Sequence, residues 1–597
     1  MDIPERLQQA YESQCGGDVS EALRVYREIL SIEPENFDAW FLFGLAQLQL
    51  GRPHDALQPF ERALEIRPKN AQALGAYGNA LIGVGRIDDA IAALRKAAAA
   101  VLVNHEELVN LGNALCQAGR HEEALPHFDA ALATKPDLFA GHYNRGVALK
   151  ALDRKEEAIL AFRRALEIKP DLAEAAHNLG SVYESADRID DACDAYRQAI
   201  EARPSYTRPR IALGRLLAET YRVAEGIETL VETTEIDPAC ADAHYELGRA
   251  LMLSGRPRDG VESFQRAFTL APNHADAGFN LSLALLTLGE FETGWKLYDL
   301  RLTTLKQLGG SARVRVSAKM GAVRKRSELR GDRLLVLGEQ GLGDEIMFSS
   351  ILPEILSIVP NTTLTADPRL VGLFNRSFPG LTACAHPPRD GGAIASVPEG
   401  RRHFIGSLMK VFRRRPEDFP GTPYLVADPD RRTQMRTRLA ALGEGRKFGV
   451  MWRGGVGGDR EHLRSLELED LQPLLEKSGN HWISLSHLPA ADEEVAAFSA
   501  RTGITIHHWP ELLRSDDYDD TAALLAELDG LVSVTGTIAH CAAALGVPAH
   551  VLVNRAPEWR YGCQGSRMLW YNAMTLYRQT DHWPIGEVGR ELGILDR

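Results

Sequence analysis

A glycine-rich segment just past the middle of the chain, GEQGLGDEIMFSS at residues 338–350, has the residue types of a ligand-binding turn. Gly341 and Gly343 allow the backbone to turn tightly and to approach a ligand closely. Asp344 stands at the expected start of a helix, where a carboxylate stays ionised and can accept a proton from a hydroxyl. The alternative is that Asp344 only caps that helix. The segment has neither the Lys-Ser/Thr ending of a P-loop nor the glycine order of a dinucleotide-binding loop.

A second segment of this kind lies further along the chain, GLVSVTGTIAHCAAALG at residues 530–546. An apolar strand is expected to end at Val534, and a turn of small residues leads into a helix. The free N–H groups at the start of that helix, with Gly536 and the Thr537 hydroxyl, could bind a phosphate. His540, on the first helical turn, could donate a hydrogen bond to the same oxygens.

Short apolar strands alternate with helices from residue 332 onward, and this pattern predicts the framework that positions both segments. The predicted strands are 333–338, 362–366, 447–452, 481–486, 503–509, 530–536 and 548–553. Such units form parallel sheets with helices on both faces, and ligands bind beyond the carboxyl ends of the strands. Because the charged segment 426–446 separates two series of strands, we predict two Rossmann-like lobes, 331–425 and 426–597, that face a cleft.

The first half of the chain has a different pattern, a period of 34 residues. Glycine recurs at Gly44, Gly78, Gly112, Gly146, Gly180, Gly214 and Gly248. Proline recurs in the same phase at Pro34, Pro68, Pro136, Pro170, Pro204, Pro238 and Pro272. This spacing resembles the tetratricopeptide repeat, a pair of antiparallel helices per unit. We count about nine units and predict an all-α superhelix over residues 1–304, whose concave groove binds an acceptor protein.

An asparagine stands at one position of the first helix in four of these units. The residues are Asn110, Asn144, Asn178 and Asn280. Because asparagine both donates and accepts, a row of such residues can hydrogen-bond a peptide backbone whatever its side chains. A similar asparagine ladder lines the groove of the protein O-GlcNAc transferases. The alternative is a solvated polar helix face.

Residues 305–330 interrupt the period with a basic stretch. Its basic residues are Arg313, Arg315, Lys319, Arg324, Lys325, Arg326 and Arg330. We interpret this stretch as a solvated linker. The alternative is a basic rim that attracts an anionic donor or an acidic partner.

The segment GEQGLGDEIMFSSILP resembles the loop after the first strand of heptosyltransferase-like GT-B glycosyltransferases. It is closer still to bacterial proteins that fuse tetratricopeptide repeats to such a domain, among them flagellin glycosyltransferases. The resemblance implies that Asp344 is the catalytic base. VMWRGG at 450–455 is similar to the strand that opens the donor lobe, which implies that Arg453, with Gly454, contacts the donor phosphate.

Two further segments carry the same resemblance. Arg464 stands in the R-S pair of the family, and residues 519–548 resemble its donor motif. The donor-binding residues implied here are therefore Gly341, Gly343, Arg453, Gly454, Arg464, Gly536, Thr537 and His540. This chain has Thr535-Gly536 where the family has an acid and a threonine, so the usual nucleotide contact is in doubt.

The resemblance implies a protein O-glycosyltransferase that moves a sugar from a nucleotide-activated donor to Ser or Thr of the acceptor protein. No D-x-D motif stands where glycosyltransferases of the other main fold keep their manganese, so no metal and no cofactor are expected. The acceptor is either flagellin, with a nonulosonic sugar of the pseudaminic type, or a wider set of proteins as for the O-GlcNAc transferases. A missing carboxylate at Thr535 suits an anionic sugar. The remaining alternative is a non-catalytic scaffold with a degenerate GT-B fold.

The composition excludes several other classes of protein. A net charge of −13 disfavours nucleic-acid binding. The seven cysteines are scattered without C-x-x-C spacing, which indicates a reducing compartment rather than a disulfide framework or a zinc site. The acidic N-terminal segment is not a signal peptide, and no apolar run is long enough to span a membrane. We therefore expect a cytoplasmic protein.

Overall fold

The computed structural model describes residues 2–99, 105–220, 222–303, 323–339, 341–386, 401–454, 464–477, 479–514 and 516–595. The predicted basic residues Arg313, Arg315 and Lys319 lie outside these ranges. Backbone contacts group the chain into two compact units, Met1–Leu216 and Leu217–Arg597.

The first unit consists of helices that pack in consecutive pairs. They are Ile3–Cys15, Val19–Ile32, Phe37–Gln49, Pro53–Ile66, Ala71–Gly83, Ile87–Ala98, His105–Gln117, His121–Thr134, Phe139–Ala151, Lys155–Ile168, Ala173–Ser185, Ile189–Ala202 and Thr207–Glu219, the last of which crosses the boundary between the units. The recurring glycines explain the close approach within a pair. A Cβ atom on Gly112 would lie 2.5 Å from the Phe128 ring of the partner helix, and one on Gly146 would lie 2.8 Å from Phe162.

The turn inside most helix pairs contains a residue with left-handed backbone geometry. Glycine takes this position at Gly51, Gly85 and Gly119, with φ of 68°, 80° and 74°. Asp153 and Asp187 take it in the next two pairs, with φ of 56° and 58°. Aspartate tolerates this conformation better than most residues because its short side chain can hydrogen-bond locally.

The second unit begins with the last repeats and continues into the α/β region. Its repeat helices are Val223–Ile236, Ala241–Leu253, Pro257–Leu270, Ala275–Thr287 and Phe291–Leu297. The indole N–H of Trp295 donates to the Arg413 carbonyl at 2.8 Å, and its ring lies 5.4 Å from that of Trp559. The ninth repeat therefore packs into the core of the α/β region.

In the described ranges, the α/β region contains two sheets, and every strand pair in them is parallel. The strands are β1 (Leu334–Leu337), β2 (Thr362–Ala366), β3 (Leu381–Ala385), β4 (Arg402–Phe404), β5 (Arg446–Met451), β6 (Asn480–Ser484), β7 (Ile506–His508), β8 (Gly530–Val534), β9 (Ala549–Val553) and β10 (Met574–Arg578). Their spatial orders are β3-β2-β1-β4 and β10-β9-β8-β5-β6-β7. All residues of β1, β8 and β9 are buried, as expected of parallel strands covered on both faces.

Helices cover the two sheets. They are Leu342–Phe348, Leu352–Ile358, Val371–Ser377, Ile405–Phe412, Pro429–Ala440, Leu468–Leu475, Ala490–Thr502, Pro510–Leu513, Asp519–Ala526, Thr537–Leu545 and Ile585–Glu591. The predicted fold class, tetratricopeptide repeats followed by an α/β region with parallel sheets, is confirmed. Within the described ranges, no helix has the length and apolar character needed to cross a membrane.

All seven predicted strands are present, and three others, β3, β4 and β10, were not predicted. The pattern of β3 is hard to detect because its residues are small and partly exposed, and β4 has only three residues. A single apolar helix was expected after the glycine-rich turn. The structure divides it at a 3-10 turn, Ser349–Ile351, just before Pro353, whose missing N–H is tolerated in a first helical turn.

Candidate functional site

A cavity of about 350 Å³, here called the central cavity, lies at the carboxyl ends of strands from both sheets. The residues that line it come shortly after β1, β2, β5, β6, β8 and β9. This is the position where open parallel sheets bind ligands. The polar lining residues are Asp344, Arg369, Arg453, Arg464, His487, Tyr518, Thr521, Ser533, Thr535, Thr537, His540, Glu558, Arg560 and Tyr561.

The two glycine-containing segments meet in this cavity. A Cβ atom on Gly343 would lie 3.3 Å from the Thr537 hydroxyl and 3.4 Å from the His540 ring. Of the predicted site residues, Gly341, Gly343, Asp344, Arg453, Arg464, Gly536, Thr537 and His540 line the cavity. Gly454 lies just outside it, where its N–H donates to the Ser465 hydroxyl at 3.2 Å.

Asp344 is a buried residue at the start of helix Leu342–Phe348. Its Oδ1 atom accepts two hydrogen bonds from the Arg560 guanidinium, the one from Nε being 2.7 Å long. Among the described residues, its Oδ2 atom accepts only a long bond of 3.5 Å from the Gly341 N–H. Helix capping, the alternative role for this aspartate, is therefore the weaker of its contacts, and an ion pair with Arg560 is the stronger one.

His540 is buried between two tyrosines. Nε2 lies 3.1 Å from the Tyr561 hydroxyl and Nδ1 lies 3.2 Å from the Tyr571 hydroxyl. Burial, together with the nearby charge of Arg560, lowers the pKa of His540 to about 3, so the ring is neutral at pH 7. One ring nitrogen therefore donates to a tyrosine and the other accepts from one. The predicted hydrogen bond from His540 to a phosphate would have to replace one of these contacts.

Arg453 has two carboxylates around it. Its guanidinium makes a two-point contact with Glu467, at 3.1 and 3.0 Å, and a further contact with Glu494 at 2.9 Å. The Trp452 indole N–H also donates to Glu494, at 2.6 Å. A donor phosphate bound by Arg453 would therefore share it with these acids.

A single 3-10 turn, Trp559–Tyr561, and the residue before it place three side chains in the cavity. Glu558 pairs with Arg464 at 2.5 Å, Arg560 pairs with Asp344, and Tyr561 contacts His540. These three residues were not singled out from the sequence. The segment RAPEWRYG matched the family, but no local pattern indicated which partners its side chains reach.

Two other acidic residues of the glycine-rich segment hold the fold together. Glu339 accepts from Arg301 at 2.9 and 2.6 Å and from the Gly406 N–H at 2.8 Å. Glu345 contacts His386 at 2.7 Å and accepts from the Asp367 N–H at 2.8 Å. Their buried carboxylates anchor the turn, which leaves Asp344 as the acid of this segment that lines the cavity.

Thr535 is buried, whereas Gly536 has an extended backbone and precedes helix Thr537–Leu545. A Cβ atom on Gly536 would have no heavy atom of the described residues within 4 Å. Packing therefore does not require a glycine here, and the space beside it is open to a ligand.

The four asparagines of the predicted ladder are all half-buried on the first helices of their repeats. The Asn178 amide donates to the Tyr143 hydroxyl at 3.3 Å, and its oxygen accepts from Lys150 at 3.1 Å. The Asn280 amide likewise donates to the Tyr245 hydroxyl, at 3.4 Å. These two residues thus connect neighbouring repeats, a contact that the sequence pattern did not predict.

Asn280 also lines a second cavity, of about 250 Å³, within the second unit. Arg464, Glu558 and Arg560 line this second cavity as well as the central one. The chain of ion pairs formed by these residues is therefore a wall that the two cavities share. Within the described ranges, no cluster of three or more His, Cys, Asp or Glu residues could hold a metal ion.

Comparison with known proteins supports the assignment of the repeats. The tetratricopeptide repeat model matches residues 15–71, 76–139, 109–173, 143–207 and 245–300. These segments are tetratricopeptide repeats. Protein FlbA of Caulobacter vibrioides is 29% identical over 291 residues, which cover 46% of this chain and 48% of FlbA. The chain thus spans about half the length of the curated relative that it matches.

Several solved structures resemble part of the chain. YrrB, a TPR protein with an unusual peptide-binding site, is 21% identical, with a TM-score of 0.28, over 31% of this chain and 95% of its own. MamA is 25% identical, with a TM-score of 0.27, over 29% of this chain and 98% of its own. PilF of Pseudomonas aeruginosa is 22% identical, with a TM-score of 0.32, over 35% of this chain and 94% of its own. With TM-scores this low, the likenesses carry no argument about function.

Proposed function

We propose that this tetratricopeptide-repeat protein is a protein O-glycosyltransferase of the GT-B type. In this proposal the repeats bind an acceptor protein, and the central cavity binds a nucleotide-activated sugar. The observation that carries the proposal is the composition of that cavity. It combines a carboxylate, Asp344, with the N-terminus of helix Thr537–Leu545 and with arginines, at the carboxyl ends of two parallel sheets.

The cavity offers separate groups for the two halves of a sugar-transfer reaction. Gly536, Thr537 and Ile538, at the start of helix Thr537–Leu545, line the cavity, and the free N–H groups there, with the Thr537 hydroxyl, could bind the donor phosphate. Arg464 and Arg453 line the cavity, and their guanidinium groups could bind the leaving phosphate in place of a metal ion if they exchange their carboxylate partners for it. Neutral His540 fixes Tyr561 and Tyr571 at the base of this site.

The reaction would be a direct displacement at the anomeric carbon. The acceptor Ser or Thr hydroxyl attacks this carbon, and the bond between the carbon and the phosphate oxygen breaks. The electron pair leaves with the phosphate, and the hydroxyl proton passes to the Asp344 carboxylate. Asp344 lies next to Gly343, which is close to Thr537, so the base and the phosphate site are neighbours.

For the acceptor we propose flagellin, and for the donor a CMP-activated nonulosonic sugar. One support is the sequence resemblance to flagellin glycosyltransferases. The other is that Thr535 and Gly536 carry no carboxylate, since a carboxylate at this place would repel an anionic sugar. An O-GlcNAc-transferase-like activity on other proteins is the alternative for the same site.

A non-catalytic scaffold is a second candidate, and one observation favours it. The charged residues proposed for catalysis already have partners inside the chain: Asp344 pairs with Arg560, Arg453 with Glu467 and Glu494, and Arg464 with Glu558. Such pairing is typical of a structural ion-pair network as well as of an unliganded active site.

Thermal unfolding with a panel of UDP-sugars and CMP-sugars tests whether the cavity binds a donor. A ligand at about a hundred-fold excess over its Kd stabilises the native state by about 2.7 kcal/mol, which raises Tm. Intact-mass measurement of flagellin co-expressed with this chain then tests transfer. A mass increase equal to one sugar supports the proposal, whereas binding without any acceptor modification favours the scaffold.

A further inference from the structure

Arg560 contacts the proposed base, Asp344, and lines two cavities. Its Nε and Nη2 atoms both donate to Asp344 Oδ1, and its Nη1 atom lies 3.8 Å from Glu558 Oε2. Its guanidinium also lies 5.2 Å from the centre of the Trp559 ring. The side chain is 17% exposed, and it lines the central cavity as well as the second one. A ligand in the central cavity can therefore reach Arg560.

The contact between Arg560 and Asp344 conflicts with the role of Asp344 as a base. A carboxylate oxygen that accepts two charge-assisted hydrogen bonds is not available to a substrate hydroxyl. Within the part of the chain that the structure describes, the other oxygen, Oδ2, has only the long contact with the Gly341 N–H. For Asp344 to act with its full accepting capacity, Arg560 has to exchange this carboxylate for another anion.

The proposed donor supplies such an anion. Its phosphate would bind at the start of helix Thr537–Leu545, and Thr537 and the Asp344 segment are neighbours through Gly343. The Nε and Nη2 groups of a guanidinium that donate to a carboxylate can donate to a phosphate in the same way. Because Glu558 remains beside Arg560 on the other side, the guanidinium keeps one partner while it changes the other.

We propose that Arg560 is a positioning residue that alternates between Asp344 and the donor phosphate, so that donor binding releases the Asp344 carboxylate for the acceptor hydroxyl. This inference rests on the proposed function. It predicts that the donor binds before the acceptor reacts. It also predicts that Asp344 and the nucleotide compete for one guanidinium. The Asp344 carboxylate should therefore lower the affinity for nucleotide, and this effect can be measured without an acceptor.

Isothermal titration calorimetry of the full chain with UDP, CMP and inorganic pyrophosphate tests this competition. Asp344→Ala removes the competing carboxylate, so at least one of these probes should bind it at least five-fold more tightly than it binds the wild type. Arg560→Ala should weaken the binding of that probe at least ten-fold. In the Arg560→Ala background, the addition of Asp344→Ala should change the affinity less than two-fold, because the shared guanidinium is absent.

Two controls separate this effect from a general loss of structure. Arg560→Lys keeps the charge without the two-point contact, so its nucleotide affinity should lie between those of the wild type and Arg560→Ala. Arg555→Ala removes an exposed arginine that pairs with Asp581, and it should bind nucleotide as the wild type does. The Tm of each variant, measured without ligand, shows whether it is folded.

The outcomes distinguish this inference from the proposed function. If the wild type binds a probe but Asp344→Ala binds it no more tightly, Arg560 does not alternate and the inference is overturned, while the donor site stands. The inference is also overturned if Asp344→Ala raises the affinity for the probe equally in the wild type and in Arg560→Ala. The increase in affinity would then not depend on Arg560. If neither the wild type nor any variant binds a probe, the donor site and the inference fail together.

Discussion

Arg301 and Glu339 form a buried two-point ion pair that joins the end of the ninth repeat to the loop after β1. The two hydrogen bonds are 2.9 and 2.6 Å long, and each side chain is only 2% exposed. The geometry is the favourable one for a buried pair, because Glu339 also accepts from the Gly406 N–H and Arg301 also donates to the Ser407 hydroxyl.

Arg301→Met should destabilise the second unit by about 3 to 5 kcal/mol, because it leaves the Glu339 charge buried without its partner. Tryptophan fluorescence during denaturant unfolding reports mainly on the second unit, because Trp40 is the one tryptophan within residues 1–216. Arg414→Ala is the matched control. It removes an exposed pair with Glu292 and should cost less than about 1 kcal/mol. If the two variants unfold at the same denaturant midpoint, the burial of the Arg301–Glu339 pair does not make its loss more costly than that of an exposed pair.

His540 should make the second unit sensitive to mild acid. Its pKa is about 3 in the folded chain and about 6.5 in the unfolded one, so between these values the unfolded state binds the extra proton. Stability is therefore lost as the pH falls below about 6.5, and the loss at pH 5 is about 2 kcal/mol. The groups that contact or act on the ring are Tyr561, Tyr571 and the guanidinium of Arg560.

The test is the change in Tm between pH 7.5 and pH 5 for the wild type and for His540→Gln. Glutamine keeps a donor and an acceptor but does not titrate. The variant should be less stable at pH 7.5 and should lose less Tm on acidification. An identical loss in both proteins would show that His540 does not contribute to the acid sensitivity.

Asp344→Asn should lower kcat for sugar transfer by about 10²- to 10⁴-fold, because the amide cannot accept the hydroxyl proton. Nucleotide binding should persist or become tighter, since the amide no longer carries the charge that competes with the nucleotide for Arg560. A discontinuous assay with purified acceptor and mass detection measures this. Asp581→Asn, at the exposed partner of Arg555, should retain full activity. Wild-type kcat in Asp344→Asn would remove this residue from the role of base.

Gly112→Ala should destabilise the first unit by about 1 to 3 kcal/mol, because the added methyl group would lie 2.5 Å from the Phe128 ring. Gly75→Ala is the control, since its methyl group would meet the Glu107 side chain at 3.3 Å, a much smaller overlap than that with Phe128. The gain in helix propensity is the same for both variants, at most about 1 kcal/mol. Far-UV circular dichroism during heating gives the Tm of each variant. A higher Tm for Gly112→Ala than for Gly75→Ala would exclude the close-packing explanation.

Asn280→Ala should weaken binding of the acceptor protein by roughly three- to ten-fold, which corresponds to the loss of one hydrogen bond. Nucleotide affinity should stay constant, because Asn280 lines the second cavity and not the central one. Gln265→Ala, at an exposed position of the preceding helix, is the control. If acceptor binding is unchanged, the contact between Asn280 and Tyr245 is purely structural.

The periodic features of this fold were predictable from the sequence. The glycines that recur in the repeats contact the large side chains expected beside them, as Gly112 does with Phe128. The convergence of the segments around Asp344 and Thr537 followed from the rule that parallel strands present ligands at their carboxyl ends. The helix-pair contacts and the convergence at the strand ends both follow from the spacing of residues along the chain, which can be read from the sequence alone.

The partners of the site residues were not predictable in the same way. Arg560 reaches Asp344 across 216 positions of the chain, and no local pattern encodes that contact. The tyrosines that hold His540, and the acids that surround Arg453, likewise depend on the path of the backbone through the whole unit. A sequence motif thus indicated which residues line the cavity but not how their charges are neutralised.

The indole of Trp295 has a practical consequence for protein engineering. It belongs to the ninth repeat, yet it stacks edgewise on Trp559, the neighbour of Arg560. A chimera that exchanges the repeat array for that of another protein at residue 304 would have to reproduce this indole to keep the Arg560 turn in place. Specificity for a new acceptor is therefore better transplanted with a junction upstream of residue 217, so that the last repeats stay with the α/β region.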